Sequence, residues 1–505
     1  MRRGELLEFS WKNIGRYELL LAALMLAYIV LFSYLSIAIN NAYATHGDLT
    51  VHIQAQWSTL HALPLGSTYV FSANDFWSLM GGGKTHSFEW RESFLGIHMS
   101  PLLFLITPFF AIFQRVETIL VAQTVLLAIG AVPIFLLAKE KFGSGAHGLA
   151  FAAIFLLNPA LHGINLFDFH PIAMVVPMLL FAFYFLHKEN DGYFALFAIL
   201  SLMAEEEVAF SVFMLGLYAL WKRRFAAGAF AITSSIVWFV LIVYVIMPML
   251  HGGPYMFTGY YGNIPGGRVH EKALNLLFSP GLFVSTISMP SKLVYLAKLF
   301  SPVGFVSLLS PATLLLVLPG LLQNLLTNNP GQHLLVGQYN SISIAFIFIS
   351  AIFGAFNLTL HVSEFLEKRN FKNTFQMVSA VVLVLLLLVT AAVGSTVSEF
   401  PLKKMFRIGD FVTNERTASL DELASRIPDG ASVSVSDGLS PHVAGREQLY
   451  LFPVHSKEAD YVFLDKEATW PLTKEQQANF TKEIIGTGSY DIVEVNSWGM
   501  LYRRR

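Results

Sequence analysis

The sequence predicts a mainly α-helical, polytopic membrane bundle of about eleven spans, with a long first outer loop and a small C-terminal α/β domain. Three observations predict it. Mean hydropathy is +0.56, and only 13% of residues are charged, about half the fraction usual in soluble chains. Apolar runs recur from Leu19 to Thr396 at lengths near the roughly 20 residues that cross a hydrocarbon core of about 30 Å. From Phe400 onward the character changes, with more charge and short alternating strand-like segments.

The apolar runs place spans at Tyr17–Ile39, Thr118–Ala138, Gly148–Leu166, Ile172–His187, Tyr193–Met203, Val208–Trp221, Ala226–Met249, Leu293–Leu309, Thr313–Leu326, Ser341–Leu360 and Phe375–Gly394. Several are short for a span, as expected of tilted or broken helices inside a bundle. Arg2, Arg3, Lys12 and Arg16 precede a first run too long for a signal-peptide core, so it reads as a retained span. Basic residues cluster before Tyr17, at Lys139 and Lys141, at Lys188, at Lys222–Arg224, and at Lys368, Arg369 and Lys372. An even number of spans separates these clusters, so all fall on one face, the cytoplasmic one. The expectation is a multi-pass plasma-membrane protein with a cytoplasmic N-terminus and an extracytoplasmic C-terminal domain. Residues 1–397 form the membrane domain, with an outer loop over 40–117, and 398–505 form the outer domain.

In the outer loop, Asp48–His61 reads as a short amphipathic helix, and Pro101–Phe113 is apolar but too short to span, which suits a helix lying at the interface. Phe71, Phe76, Trp77, Phe88 and Trp90, around Gly81–Gly83, suit the headgroup region. In the tail, helices are expected at Ala418–Ile427 and Lys474–Ile485, and strands at Ser432–Val435, Gln448–Phe452, Tyr461–Leu464 and Ile492–Val495. A net charge of −1 gives no basis for nucleic-acid binding, and the absence of Cys excludes disulfides and thiolate metal sites. Phosphate loops, dinucleotide fingerprints, nucleophile elbows and His-Glu-x-x-His are missing.

Ionisable groups at membrane depth are costly, which makes them candidates for function. Three groups fall on the outer face. His46-Gly47-Asp48 with His52 puts a carboxylate and an imidazole four residues apart, on one face of a helix. They could form a base with its orienting partner or hold a metal; Asp48 is equally placed to cap the helix. Asn165-Leu-Phe-Asp-Phe-His-Pro171 sets Asp168 and His170 in a tight turn, where capping is the alternative. Glu205, Glu206 and Glu207 sit between two short spans and cannot all ionise without a cation nearby; a solvated turn is the alternative. Glu92 and His98 precede the interfacial helix, Arg268 and Lys272 could neutralise a phosphate, and His333 and Tyr339 lie in a polar outer loop. Asn479-Phe480-Thr481 fits a glycosylation acceptor.

Glu92-Ser-Phe-Leu-Gly-Ile-His-Met-Ser-Pro101, the Asn165–Pro171 turn, Glu205–Glu207, Ile427-Pro-Asp-Gly-Ala-Ser-Val-Ser-Val, Ser440-Pro-His, Tyr450-Leu-Phe-Pro and Ala459-Asp-Tyr-Val-Phe-Leu-Asp465 carry a resemblance. Together they resemble a family of prokaryotic predicted membrane proteins, a domain of unknown function, grouped by fold with the GT-C superfamily of membrane glycosyltransferases. The resemblance implies transfer of a sugar from a polyprenyl-phosphate donor in the bilayer to an outer acceptor, which could be a glycan, a lipid or a protein. It implies Asp48 as the catalytic Asp, with His52 where the superfamily usually shows a second Asp. Asp168 and His170, joined by Glu206, would hold a divalent cation, magnesium or manganese, and no other cofactor is implied. Glu92, His98, Arg268, Lys272, His333 and Tyr339 are the expected substrate contacts. Two other classes compete with this reading. A transporter or flippase would use the carboxylates as a relay and would show inverted repeats, of which none is evident. A non-catalytic assembly protein would leave the acidic groups on separate surfaces.

Overall fold

The computed structural model describes residues 15–81, 93–251, 255–397 and 408–505. Among them, five helices are long and apolar enough to cross a membrane: Arg16–Asn41, Val116–Phe142, Phe225–Leu250, Gln338–Glu367 and Thr374–Thr396. A sixth results if Gly145–Leu156 and Pro159–Leu166, bent by 48°, count as one span. The bend falls where Asn158 caps the second half by accepting the Ala160 N–H, with Pro159 opening that half. Shorter apolar helices cover Pro171–His187, Asp191–Leu202, Val208–Trp221 and Pro311–Leu326. Gln338–Glu367 runs through the middle of the bundle, 78% of its apolar window being buried, whereas Thr374–Thr396, at 22%, lies on the outside.

One expected span is not a single helix. Pro290–Phe300 ends in 3-10 turns at Ser301–Val303 and Val306–Leu309. Pro302 and the left-handed Gly304 (φ +56°) divide it, since proline removes a helical donor and a positive φ ends the helical path. Among the described residues, five helices, or six with the bent pair, are thus long enough to span, and shorter apolar helices make up the rest of the bundle. Pro101–Leu105 and Thr107–Ile112 form two short helical pieces with Leu105, Phe109, Ile112 and Phe113 exposed.

The bundle has two distinct ends. At one, Lys139 pairs with Glu18, Lys188 with Glu140, and Arg224 with Glu189 and Asp191. At the other lie the C-terminus of Arg16–Asn41, the helix Gly47–Leu60 and the C-terminal domain. That domain carries a five-stranded sheet in the order β2-β1-β3-β5-β4, formed by Val433–Val435 (β1), Leu449–Leu451 (β2), Tyr461–Asp465 (β3), Tyr490–Val495 (β4) and Gly499–Arg504 (β5). β1 pairs parallel with β2 and β3, and β5 runs antiparallel between β3 and β4. The last strand was not expected. Its Gly499-Met-Leu-Tyr-Arg-Arg504 pattern ends in two arginines, and pairing with β3, not periodicity, makes it a strand. Helices Glu415–Ser425 and Lys474–Gly486 flank the sheet. Asn479 lies inside the second of these, and the Thr481 hydroxyl is buried on Gln477 O, so the acceptor motif is folded into a helix.

The C-terminal domain is seated on the first loop by buried polar bonds. Gln54 donates to the Arg446 and Glu447 carbonyls, Ser72 accepts from Leu451 N–H, and Tyr43 donates to Asp421 at 2.7 Å. Tyr43 also stacks on His442 at 3.7 Å between ring centroids. Buried apolar residues run without a break from the bundle into Leu420, Val433, Phe463 and Leu501, so bundle and domain share one core.

Candidate active site

Asp48 stands at the start of the helix Gly47–Leu60, a turn beyond the end of the first span. Its Oδ2 lies 3.3 Å from His170 Nε2, while His170 Nδ1 lies 3.2 Å from Phe167 O. Both partners are acceptors, so the two bonds form together only when the ring carries two N–H groups. The Asp48 side chain is 58% accessible, open to a cleft, although protein surrounds it. Burial raises its carboxyl, but the His170 hydrogen bond and the fields of His170, His52 and His46 prevail and hold it at about 2. Asp48 is therefore a carboxylate throughout the physiological range.

The turn that delivers His170 is held by a residue with no role assigned from the sequence. Gln123, buried in the span Val116–Phe142, donates to Asp168 O at 2.8 Å and accepts His170 N–H at 2.9 Å. Thr124 donates to the Asn165 side chain at 3.0 Å. These bonds fix Asp168 at φ +50°, a conformation that costs a residue with a Cβ about 1 kcal/mol or more. A Gln-Thr pair inside an otherwise apolar run was the available signal, since a polar pair there needs internal partners. Asp168 accepts His46 N–H at 3.1 Å and faces His46 Nδ1 at 3.6 Å. The side-chain interaction of the ring with Asp168, ahead of the opposing effect of burial, raises His46 to about 9.

The structure corrects the expected partnership of Asp48 and His52. His52 is packed edge-on between Phe94 and Phe169, and its Nδ1 has no hydrogen-bond partner among the described residues. Burial, then the field of His170, lowers it to about 3, so it is a neutral ring. The imidazole that holds Asp48 comes from a turn 122 residues away.

A second cluster forms where Glu205–Glu207 breaks the chain between two short helices. Glu206 accepts from His98 Nδ1 at 3.2 Å, Met99 N–H at 3.0 Å and the Tyr255 hydroxyl at 2.9 Å. Glu205 lies 3.7 Å from the same His98 nitrogen, and Glu207 accepts from Gln323 at 2.7 Å. Burial opposes charge on His98, but Glu205 and Glu206 outweigh it and lift the ring to about 10. The glutamates divide: burial raises Glu205 well above its ordinary range and Glu207 to about 7, while for Glu206 burial is overcome by His98 and the Met99 N–H. His98, Glu206 and Glu207 offer ligand atoms within 4.8 Å of one another, which fits a divalent cation.

The two clusters act electrostatically on shared neighbours. Asp48 acts electrostatically on Tyr260 and Tyr339, and Tyr339 also feels Glu205 and Glu207. His52 feels both His170 and His98. Other expected residues are placed differently. Asp168, His170 and Glu206 do not converge on one ligand position among the described residues, because Asp168 is engaged by His46, His170 by Asp48, and Glu206 by His98. Lys272 is buried and donates to the Tyr261 and Ile264 carbonyls, so its ammonium is committed to the backbone of its own loop. Arg268 is exposed at the start of the helix Val269–Phe278. His333 donates to Asn324 O at 2.8 Å. Glu92 lies outside the described residues.

Fold and site together define a polytopic membrane protein with an acidic, histidine-lined cleft at the end that carries its C-terminal domain. The family described as Predicted membrane protein (DUF2079) matches residues 40–500, and the chain belongs to it. The fold is similar to that of ArnT from Cupriavidus metallidurans bound to undecaprenyl phosphate, with a TM-score of 0.52 at 10% identity, over 95% of this chain and 97% of that one. It is also similar to the same protein in the apo state, with a TM-score of 0.44 at 10% identity, over 95% and 98% of the two chains. The likeness to ArnT agrees with the GT-C resemblance carried by the sequence motifs. No curated protein matches by sequence.

Proposed function

We propose that the chain transfers a sugar from a polyprenyl-phosphate donor to an acceptor hydroxyl on the extracytoplasmic side of the membrane. The observation that carries this reading is the Asp48 carboxylate, ionised, open to the cleft and held by His170 on a fold shared with ArnT. ArnT binds undecaprenyl phosphate, which supports a donor of that kind here. The end holding Lys139, Lys188 and Arg224 is taken as cytoplasmic by the positive-inside tendency, which puts the cleft outside. Exposed Phe109, Ile112, Phe113, Leu277 and Phe278 suit contact with lipid tails.

In the reaction, the acceptor oxygen forms a bond to the anomeric carbon as the bond from that carbon to the phosphate oxygen breaks. Polyprenyl phosphate departs with the electron pair, and the hydroxyl proton passes to Asp48 Oδ1 or Oδ2. His170 holds that carboxylate in place. The protonated rings of His46 and His98 supply positive charge toward the leaving phosphate, a task for which Lys272 is not free. A divalent cation held by His98, Glu206 and Glu207 would displace the His98 proton and supply charge neutralisation in its place. Trp470, 60% exposed and edge-on to His46 at 6.4 Å, offers a flat apolar face at the mouth, suited to a sugar ring.

The test is sugar transfer by protein reconstituted in liposomes with polyprenyl-phosphate sugars. Asp48→Asn should lower turnover about 100- to 10,000-fold, the usual worth of a general base. Full turnover by that variant would overturn the assignment.

A further inference from the structure

The helix that carries Asp48 has no cap of its own. It starts at Gly47, and His46 before it makes no side-chain bond to the free N–H groups of the first turn. Such groups need an acceptor when water is excluded. Here the acceptor comes from the C-terminal domain, 390 residues along the chain: Asp437 Oδ2 accepts Gly47 N–H at 3.2 Å. Its Oδ1 accepts the Tyr69 hydroxyl at 2.9 Å, so both oxygens are engaged and the side chain is buried. A negative charge at this position also meets the positive end of the helix dipole.

The contact is closely fitted on both sides. A Cβ at residue 47 would lie 2.5 Å from Asp437 Oδ1 and 2.6 Å from the Tyr69 ring, so only glycine lets the backbone approach. Asp437 lies two residues past the end of β1, and the Ser440 hydroxyl bonds its carbonyl at 2.6 Å. Ser440 in turn meets Thr50 at 2.5 Å, one turn further along the capped helix. Seating of the domain has other supports, in Gln54, Thr68, Ser72 and Tyr43. Asp437 is thus not needed to hold the domain on, whereas among the described residues no other side chain bonds the Gly47 N–H.

We infer that Asp437 is a positioning residue for Asp48: the C-terminal domain completes the site by capping, across the domain seam, the helix from which Asp48 reaches His170. This rests on the transferase reading only for the consequence in turnover, and the capping is tested independently of it.

The experiment uses the full chain in lipid nanodiscs, with Asp437→Ala, Asp437→Asn and, as a seam control, Thr50→Val. Hydrogen–deuterium exchange is followed on peptides covering 47–60 and on peptides from the sheet. In Asp437→Ala, amides 47–50 should exchange about five- to ten-fold faster, the usual effect of a lost cap, with the sheet unchanged. Asp437→Asn should restore protection, because Asn caps as well as Asp, and Thr50→Val should leave it near wild type. Turnover in Asp437→Ala should fall about ten-fold, with the donor KM changed less than two-fold and recovery in Asp437→Asn. Wild-type exchange at 47–50 in Asp437→Ala overturns the proposal. So does faster exchange throughout the C-terminal domain, which would make Asp437 a docking residue. If the wild type transfers no sugar, the transferase reading fails while the exchange result still decides the capping.

Discussion

Asp48 and Asp168 each have a histidine of their own, whereas Glu205, Glu206 and Glu207 share His98. In the first region Asp48 stays ionised, held at about 2 although protein surrounds it. In the second, one imidazolium cannot compensate three carboxylates, two of them buried and one half-buried, so Glu206 keeps its charge and desolvation drives Glu205 and Glu207 upward. The lesson is one of stoichiometry: the ratio of cations to carboxylates, more than burial, separates a carboxylate that stays ionised from one that keeps its proton. The second region is also where an added cation would have most to neutralise.

Breaking the first region should have the largest effect, and Asp48→Asn is the variant that does so, through turnover. Next is His98→Leu, which removes the shared cation from beneath Glu206. Leaving a buried charge without its partner costs about 3 kcal/mol, read as a lower unfolding midpoint in detergent. An unchanged midpoint at pH 7 would mean that Glu206 is neutral in the native protein. Gln123→Leu tests the support of the first region, since it strips the Asp168 turn of both its clamps. The expected loss is about 1 to 2 kcal/mol of stability, with a weaker Asp48–His170 pair.

A pH dependence sharpens the contrast further. His46 and His98 are raised to about 9 and about 10 from an ordinary 6.5. Groups raised on folding contribute stability that is complete below pH 6.5 and is lost as pH rises through 9 and 10. Glu207, raised from 4.5 to about 7, erodes stability as pH climbs between those values, because the folded state holds its proton longer. Unfolding midpoints should therefore decline from pH 6 to 10. His46→Gln should flatten the part between 6.5 and 9, and a decline parallel to wild type would show that His46 carries no charge there.

Much of this was legible along the chain. The helix Gly47–Leu60, the long spans, the flanking helices of the C-terminal domain and four of its strands follow from apolar period and length, which are local properties. The three acidic groups announced themselves because charge beside apolar runs is costly. The pairings were not legible. Helical spacing brings Asp48 and His52 onto one face, but it says nothing of His170, which arrives from another turn and takes the bond. Lys272 looked free for phosphate because its carbonyl partners belong to a loop whose path has no sequence pattern. β5 was missed for a similar reason: its pairing with β3, not its own alternation, makes it a strand.

Read along the chain, the residues already show that it enters a membrane, where its basic side chains gather, and which acidic and histidine residues would be too costly to place there idly. Composition and periodicity suffice for that, since transfer to lipid is summed residue by residue. The tertiary structure alone decided which histidine serves which carboxylate, that Gln123 clamps the Asp168 turn, and that Asp437 of the C-terminal domain caps the helix of Asp48. Those bonds join residues tens to hundreds of positions apart, and a hydrogen bond is fixed by distance and direction in space, neither of which the chain order records.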